Sequence, residues 1–330
     1  MIGKIGSPKP PSIEVLSMLS YTELKEKPKV LLSFTGLTQT EFEVLLSAFS
    51  DAWRRDEMER QATKERQRRP GGGRKAVLRT DADRLLFILF YLKTYPIQEV
   101  LAFMFGMTQS QANYWIHRLA PVLKDALAAQ DMLPERAGER LKDVLREEER
   151  PVLVQDASER RRNRPKDSKK QRTYYSGKKK AHTVKNHLVV HPESRRVCFL
   201  SQTAPGKKHD KRLADESNLS FPPMTLLEQD TGYQGYDAVE VLILQPKKKP
   251  RNQELTTGEK FINRCISSAR TIVENVIAGV KRCRIVKDVF RNWKSDFDDL
   301  VMLLACGLHN LRVAHRSPID PFNLVDFYFR

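Results

Sequence analysis

The sequence predicts an α/β protein in which an all-α region with a helix-turn-helix precedes a mixed sheet flanked by helices. Up to about residue 135, apolar residues recur at helical spacing. From Arg150 onward, short apolar runs alternate with turn residues, and two long helical patterns follow. Two of the short runs end in an aspartate, as expected where a site forms at the carboxyl ends of sheet strands.

The composition indicates a polyanionic partner. The 330 residues are enough for two domains. Lys and Arg number 58 against 41 Asp and Glu, a net charge of +17, and nucleic acid is the commonest partner for such a balance. A basic surface without function is the alternative. The four cysteines are scattered without a CxxC pair, which argues against a zinc site and a disulfide framework.

Nothing in the sequence indicates a membrane protein. The first residues contain no apolar stretch typical of a signal peptide. The longest apolar run, 300–308, is much shorter than the roughly 20 residues that cross a bilayer. We therefore expect a cytoplasmic protein with no membrane partner.

The chain is predicted to divide into four parts. They are a disordered N-terminus (1–20), a helical region with the helix-turn-helix (21–135), an α/β domain (150–316) and a C-terminal tail (317–330). Helices are predicted to begin after Thr38 or Thr40, after Thr80 and after Thr108, because threonine caps the first turn of a helix well.

A short helix from Pro96, a turn at Gly106 and a helix after Thr108 form the predicted helix-turn-helix. In such motifs the first residues of the second helix reach base edges. Here they are hydrogen-bonding residues: Gln109, Ser110, Gln111 and Asn113. An ordinary helical hairpin is the alternative interpretation.

In the second half, residues 151–156 and 224–230 are predicted buried strands that end in Asp156 and Asp230. A hairpin over 181–202, a strand over 239–244 and helices over 258–286 and 295–314 complete the domain. Converging carboxylates would suit a hard cation such as Mg²⁺. A single aspartate at a strand end is more often a turn residue.

The first long helix supplies a third acid. Arg270, Glu274 and Lys281 are spaced by four and seven residues, so they lie along one face of the helix. Without further information, a surface ion pair between Arg270 and Glu274 is the favoured explanation of this spacing.

These residues together resemble the DDE transposases of bacterial insertion sequences, of the type called insertion-sequence family five. The resemblance extends from about Leu37 to His315. It rests on Asp156 within LVQDASER, Asp230 within LEQDTGYQG, and the R-(3)-E-(6)-K signature at Arg270, Glu274 and Lys281. Ser267 stands where the wider signature has a tyrosine, so that tyrosine's role in stacking on DNA does not carry over.

The resemblance implies a ribonuclease-H-like core with Asp156, Asp230 and Glu274 as catalytic residues and metal ligands. Two Mg²⁺ ions would bind, replaceable by Mn²⁺, with Asp156 shared between them. Water would cut at the element ends, and the freed 3′-hydroxyl would then attack target DNA. Arg270 and Lys281 would hold phosphates.

The implied partners are double-stranded DNA, both the terminal inverted repeats and the target, and further copies of the chain in a homodimer or larger assembly. The implied location is the bacterial cytoplasm, at the nucleoid. Two other functions remain open: a domesticated regulator that binds DNA without cutting, and a stand-alone ribonuclease-H-like nuclease.

A basic segment over 160–180 follows the first acid, and we expect it to track phosphates. A solvated loop is the alternative. Its residues predicted to contact DNA are Arg160, Arg161, Arg162, Arg164, Lys178, Lys179 and Lys180; Lys166, Lys169, Lys170 and Arg172 complete the run. His209 and Asp210 resemble the family's PG-x-x-HD stretch. They either support the metal site from outside its ligands or cap a helix.

Overall fold

The computed structural model describes residues 18–62, 76–146, 150–247, 249 and 254–316. Most of the N-terminal segment predicted to be disordered, and the predicted tail, lie outside the described residues. The division into domains stays a prediction.

The described residues of the first part form seven α-helices. Their bounds are α1 Tyr21–Leu24, α2 Pro28–Thr35, α3 Gln39–Ala62, α4 Asp81–Thr94, α5 Gln98–Met104, α6 Gln109–Ala128 and α7 Leu141–Val144. Thr38, Thr80 and Thr108 each accept a hydrogen bond from the backbone N–H three residues later, which satisfies a donor that the helix leaves unpaired. The predicted helix starts are confirmed.

The second part contains a seven-stranded mixed sheet. Its strands are β1 Val152–Arg161, β2 Tyr175–Ser176, β3 Ala181–His191, β4 Arg196–Leu200, β5 Ala204–Pro205, β6 Thr225–Gln229 and β7 Val241–Leu244. The order is β2-β3-β1-β6-β7, with β4 and β5 also paired to β3. The β1–β3 and β3–β4 pairs are antiparallel, whereas β1–β6 and β6–β7 are parallel. The predicted ribonuclease-H-like core is confirmed.

Five helices accompany and follow the strands: α8 Ser168–Tyr174, α9 Asp210–Glu216, α10 Thr257–Val280, α11 Arg284–Lys287 and α12 Phe297–Arg316. The predicted helix over 258–286 is therefore two helices. The chain turns at Lys281–Cys283, where the Cys283 N–H donates to the Val280 carbonyl. None of the helices in the described ranges is long and apolar enough to cross a membrane.

The sheet has a hydrophobic core on each face. Leu153, Val189 and Leu227 point into the smaller core, and their strand neighbours Val154 and Leu188 point into the larger one. The larger core runs without a break from the side chains of α3, α4 and α6 to those of α10, α11 and α12. It therefore crosses the boundary predicted between the helical region and the α/β domain.

Candidate active site

Asp156 and Asp230 are brought together by parallel strand pairing. Gln155 of β1 is in register with Gln229 of β6, and each aspartate is the next residue of its chain. Adjacent strands lie about 4.8 Å apart, so the two half-buried carboxylates are neighbours. Each accepts a hydrogen bond from the following backbone N–H, at 2.7 Å for Asp156 and 2.6 Å for Asp230.

The strand bearing Asp156 does not end there, and that part of the prediction is wrong. β1 continues to Arg161 because its polar residues pair with β3 over their whole length. What ends at Gln155 is the pairing with β6. Asp156 therefore lies where β1 and β6 diverge, whereas Asp230 directly follows its strand, as predicted.

A buried amide network underlies the two aspartates. The Gln155 side-chain amide donates to the Gln229 side-chain oxygen at 2.5 Å, and the Gln155 oxygen lies 2.9 Å from His187 Nε2. Burial lowers the pKa of His187 to about 3, so the ring is neutral at physiological pH. Because Nε2 faces an acceptor, we assign the ring proton to Nε2. The network links the residues that precede both acids.

Glu274 lies on α10, which packs against β1 and β6. Val273, Val276 and Val280 bury the inner face of this helix, and the Glu274 side chain is exposed. Within the described ranges, no three His, Cys, Asp or Glu side chains are close enough together to hold a metal ion. The structure thus pairs the two aspartates and places Glu274 on the adjacent helix without closing a three-ligand cluster.

The structure describes the side chain of only one of the two basic residues of the signature, Lys281. The backbone of Arg270 belongs to α10, but its side chain lies outside the described part. Lys281 follows the last residue of α10, and burial together with the charges of Lys179 and Arg160 lowers its pKa. The charge of Asp156 opposes that shift, so Lys281 lies within electrostatic range of Asp156 as well as of the basic segment.

Asp210 lies near the aspartate pair, and its partner is a lysine that the sequence did not indicate. Lys185 of β3 is 7% exposed, and its ammonium donates to Asp210 Oδ1 at 2.7 Å and to the Lys208 carbonyl at 3.0 Å. A Cβ placed on Gly232, two residues after Asp230, would lie 3.3 Å from Asp210 Oδ2. His209 is exposed and precedes α9 without making a side-chain cap hydrogen bond.

The basic segment is structured, and one of its members cannot contact DNA. Arg160 is 3% exposed, and its guanidinium donates to the Asn186 side chain and the Asp298 carbonyl. The prediction that Arg160 contacts DNA is therefore wrong. Arg162 is mostly buried as well; it stacks over Tyr174 and pairs with Asp298. The exposed members of the predicted set are Arg161, Arg164, Lys178, Lys179 and Lys180.

The helix-turn-helix consists of α5, a turn at Phe105–Met107 and α6. Of the four predicted base-contacting residues, Gln109, Ser110 and Gln111 are exposed and Asn113 is half-buried. Gln109 and Asn113 both donate to the Gln98 side chain, and Gln111 accepts from the Thr108 N–H at 2.9 Å in a capping box. Only Ser110 makes no such contact among the hydrogen bonds described.

Comparison with known proteins agrees with this arrangement. A sequence model of the DDE superfamily endonucleases matches residues 155–310, and one of the helix-turn-helix of DDE superfamily endonucleases matches residues 78–129. The chain is 27% identical over 257 residues to the probable transposase for insertion sequence element IS702 of Microchaete diplosiphon, an alignment that covers 78% of this chain and 88% of that protein. No solved structure matches. The adjacent aspartates, the mixed sheet and the preceding helix-turn-helix agree with these matches: residues 155–310 are similar to the DDE superfamily endonucleases, and residues 78–129 are similar to their helix-turn-helix.

Proposed function

We propose that the chain is a DNA transposase that binds the terminal inverted repeats of its element, cuts there and joins the freed ends to target DNA. The observation that carries the proposal is the register of Gln155 with Gln229, which makes neighbours of two aspartates from distant parts of the chain. The similarity to the probable transposase for IS702 supports it. The element would be of the insertion-sequence family five type, and the protein would act in the cytoplasm at the nucleoid.

Enzymes of this superfamily generally use divalent metal ions, and the residues present suit one. Carboxylate oxygens are the ligands that Mg²⁺ prefers, and Asp156, Asp230 and Glu274 would supply them from β1, β6 and α10. The charges of Asp156, Asp210 and Asp230 also act on a buried phenol, Tyr233, and raise its pKa. We propose Mg²⁺, two ions in number and replaceable by Mn²⁺; bound there, they would activate the attacking oxygen and stabilise the leaving one.

The remaining side chains would bind and orient DNA. Lys281 lies beside Asp156, so its ammonium can hold the phosphate next to the scissile bond. The signature places Arg270 one turn before Glu274, where we propose a second phosphate contact. Asp210, held by Lys185, would contribute negative charge beside the aspartates without being a ligand itself.

Two clefts suggest the path of the DNA. One, of about 520 Å³, is lined by Gln109 and Asn113 of α6 together with Trp293 and Lys294. The other, of about 680 Å³, is lined by the same Trp293 and Lys294 and by Lys166 and Lys170 of the basic segment. A duplex bound by α6 would pass over the loop at 293–294 and reach the basic segment. We propose that two copies of the chain act together, since a transposable element has two ends.

The test combines binding, cutting and joining. The protein is incubated with Mg²⁺, a labelled duplex that carries one element end, and a target plasmid. We expect cleavage at the end and joined products, whereas Glu274→Gln should bind the duplex and do neither. Glu139→Gln, at an exposed glutamate outside the site, should match the parent protein.

Each of the other outcomes overturns the proposal in a different way. Binding by the parent protein without cutting would indicate a regulator. Cutting without joining would indicate a nuclease. Full activity of Glu274→Gln would remove that residue from the site.

The exposed lysines of the basic segment allow a separate prediction about salt. Replacing Lys178, Lys179 and Lys180 with glutamine should reduce the slope of log affinity against log salt concentration by about 2 to 3, because each lost phosphate contact releases about one counterion fewer. Titration of the duplex at several salt concentrations measures the slope. The matched control replaces Lys25, Lys27 and Lys29, which are exposed around the start of α2, with glutamine. These three substitutions should leave the slope unchanged. Equal slopes for the two triples would mean that residues 178–180 do not contact DNA.

A further inference from the structure

Tyr233 is fixed within the candidate active site. It ends a 3₁₀ turn, Thr231–Tyr233, that follows Asp230, and its N–H donates to the Asp230 carbonyl at 3.0 Å. Its ring packs on His187 with 5.7 Å between ring centroids, and the residue is 1% exposed. Backbone and ring are therefore both held, and the position of the hydroxyl follows from them.

The Tyr233 hydroxyl lies within range of acidic charges and has no acceptor among the described residues. It is buried, and no atom of the described residues accepts a hydrogen bond from it. Burial and the charges of Asp156, Asp210 and Asp230 raise its pKa, so it remains an O–H donor at physiological pH. The close approach of Gly232 to Asp210 confirms that this turn lies against the acids.

Folding alone does not account for this hydroxyl. A buried donor without an acceptor destabilises a protein, and phenylalanine would keep the same ring packing without that cost. Each of the three nearby acids already accepts one hydrogen bond: Asp210 Oδ1 from Lys185, Asp156 Oδ1 from the Ala157 N–H and Asp230 Oδ1 from the Thr231 N–H. A carboxylate accepts several hydrogen bonds, so each of them can also accept one from a hydroxyl. Of the carboxylate charges that raise the pKa of this hydroxyl, that of Asp156 contributes the most after burial.

We propose that Tyr233 is a positioning residue for the proposed metal site: its hydroxyl donates a hydrogen bond to the Asp156 carboxylate when a divalent cation is bound. The bond would fix the rotation of that carboxylate and so direct its other oxygen toward the cation. This inference rests on the proposed function, because it requires Asp156 to be a ligand.

The test compares the parent protein with Tyr233→Phe. Thermal melting is recorded in EDTA and then over a series of Mn²⁺ concentrations, because a cation that binds the folded state raises the melting temperature. In EDTA, Tyr233→Phe should melt at the same temperature as the parent or higher. The Mn²⁺ concentration that gives half of the full increase in melting temperature should be about tenfold higher for Tyr233→Phe than for the parent. A tenfold change is the scale of one hydrogen bond to a charged group.

Tyr236→Phe is the matched control. Tyr236 is also largely buried, but the charges that act on it come from Asp215 and Asp237, not from the acids of the site. Its Mn²⁺ midpoint should equal that of the parent. Reversion of both phenylalanines to tyrosine should restore parent behaviour in every measurement.

Three results would overturn the inference. An unchanged Mn²⁺ midpoint for Tyr233→Phe would show that the hydroxyl does not act on the site. If Tyr233→Phe melts at a lower temperature than the parent in EDTA but has the same Mn²⁺ midpoint, the hydroxyl contributes to folding only. If the parent itself shows no increase with Mn²⁺ or Mg²⁺, the proposed metal site fails, and the inference fails with it.

Discussion

Asp156→Asn and Asp230→Asn are each expected to slow metal-dependent strand cleavage about a thousandfold or more, because loss of a ligand charge removes several kcal/mol of stabilisation from the transition state. Affinity for the duplex should change little, because the DNA contacts that we propose are made by the exposed lysines and α6. Cleavage is measured by separating the products of a labelled duplex on a denaturing gel.

The same substitutions should not destabilise the metal-free protein. Neighbouring carboxylates repel each other, and asparagine removes one charge while keeping the shape of the side chain. The melting temperature of each variant in EDTA should therefore equal or exceed that of the parent. Asp237→Asn, at an exposed aspartate seven residues beyond Asp230, is the matched control and should cleave normally. Normal cleavage by Asp156→Asn or Asp230→Asn would remove that residue from the catalytic set.

Arg160→Ala should lower the free energy of unfolding by about 3 kcal/mol, because it removes hydrogen bonds to buried acceptors and opens a cavity. The acceptors are the Asn186 side chain and the Asp298 carbonyl. Burial lowers the pKa of Arg160 to about 10, so the guanidinium is still charged at neutral pH. Urea denaturation measures the change.

Arg161 is the natural control, since it is adjacent in sequence and exposed. Arg161→Ala should change the free energy of unfolding by less than about 0.5 kcal/mol, as is usual for surface positions. It should instead reduce the salt dependence of DNA binding by about one counterion. If Arg160→Ala folded with parent stability and bound DNA more weakly, the assignment of Arg160 to the interior would be contradicted.

These two arginines also show where prediction from the sequence stops. The strand that carries Asp156 was visible as an apolar run, but its continuation to Arg161 was not. Ser158 and Arg160 are polar residues buried by partners far along the chain, and no local pattern marks them. The strand before Asp230, in contrast, contains the apolar pair Leu226–Leu227 and ends at a turn, so the sequence was sufficient to place its end.

The supporting residues of the site were missed for a related reason. Lys185 lies in a strand of mixed composition, and Tyr233 follows a Thr-Gly pair that indicates only a turn. Their proximity to the acids depends on how β3 and the 3₁₀ turn pack, which is a tertiary property. Glu274 was identified because its spacing to Arg270 and Lys281 matches the signature of the family that the sequence resembles. The structure adds that its helix packs against the strands that precede the aspartates.

The continuous larger core has a consequence for where the protein would cut. Arg316 at the end of α12 pairs with Glu41 of α3, and α12 packs along α6, so the recognition helix and the sheet share one hydrophobic interior. A flexible tether would let cleavage occur at variable distances from the bound sequence. A shared hydrophobic interior instead holds α6 and the sheet at a fixed distance from each other. The number of base pairs between the recognised site and the cut would therefore be the same in every cleavage event.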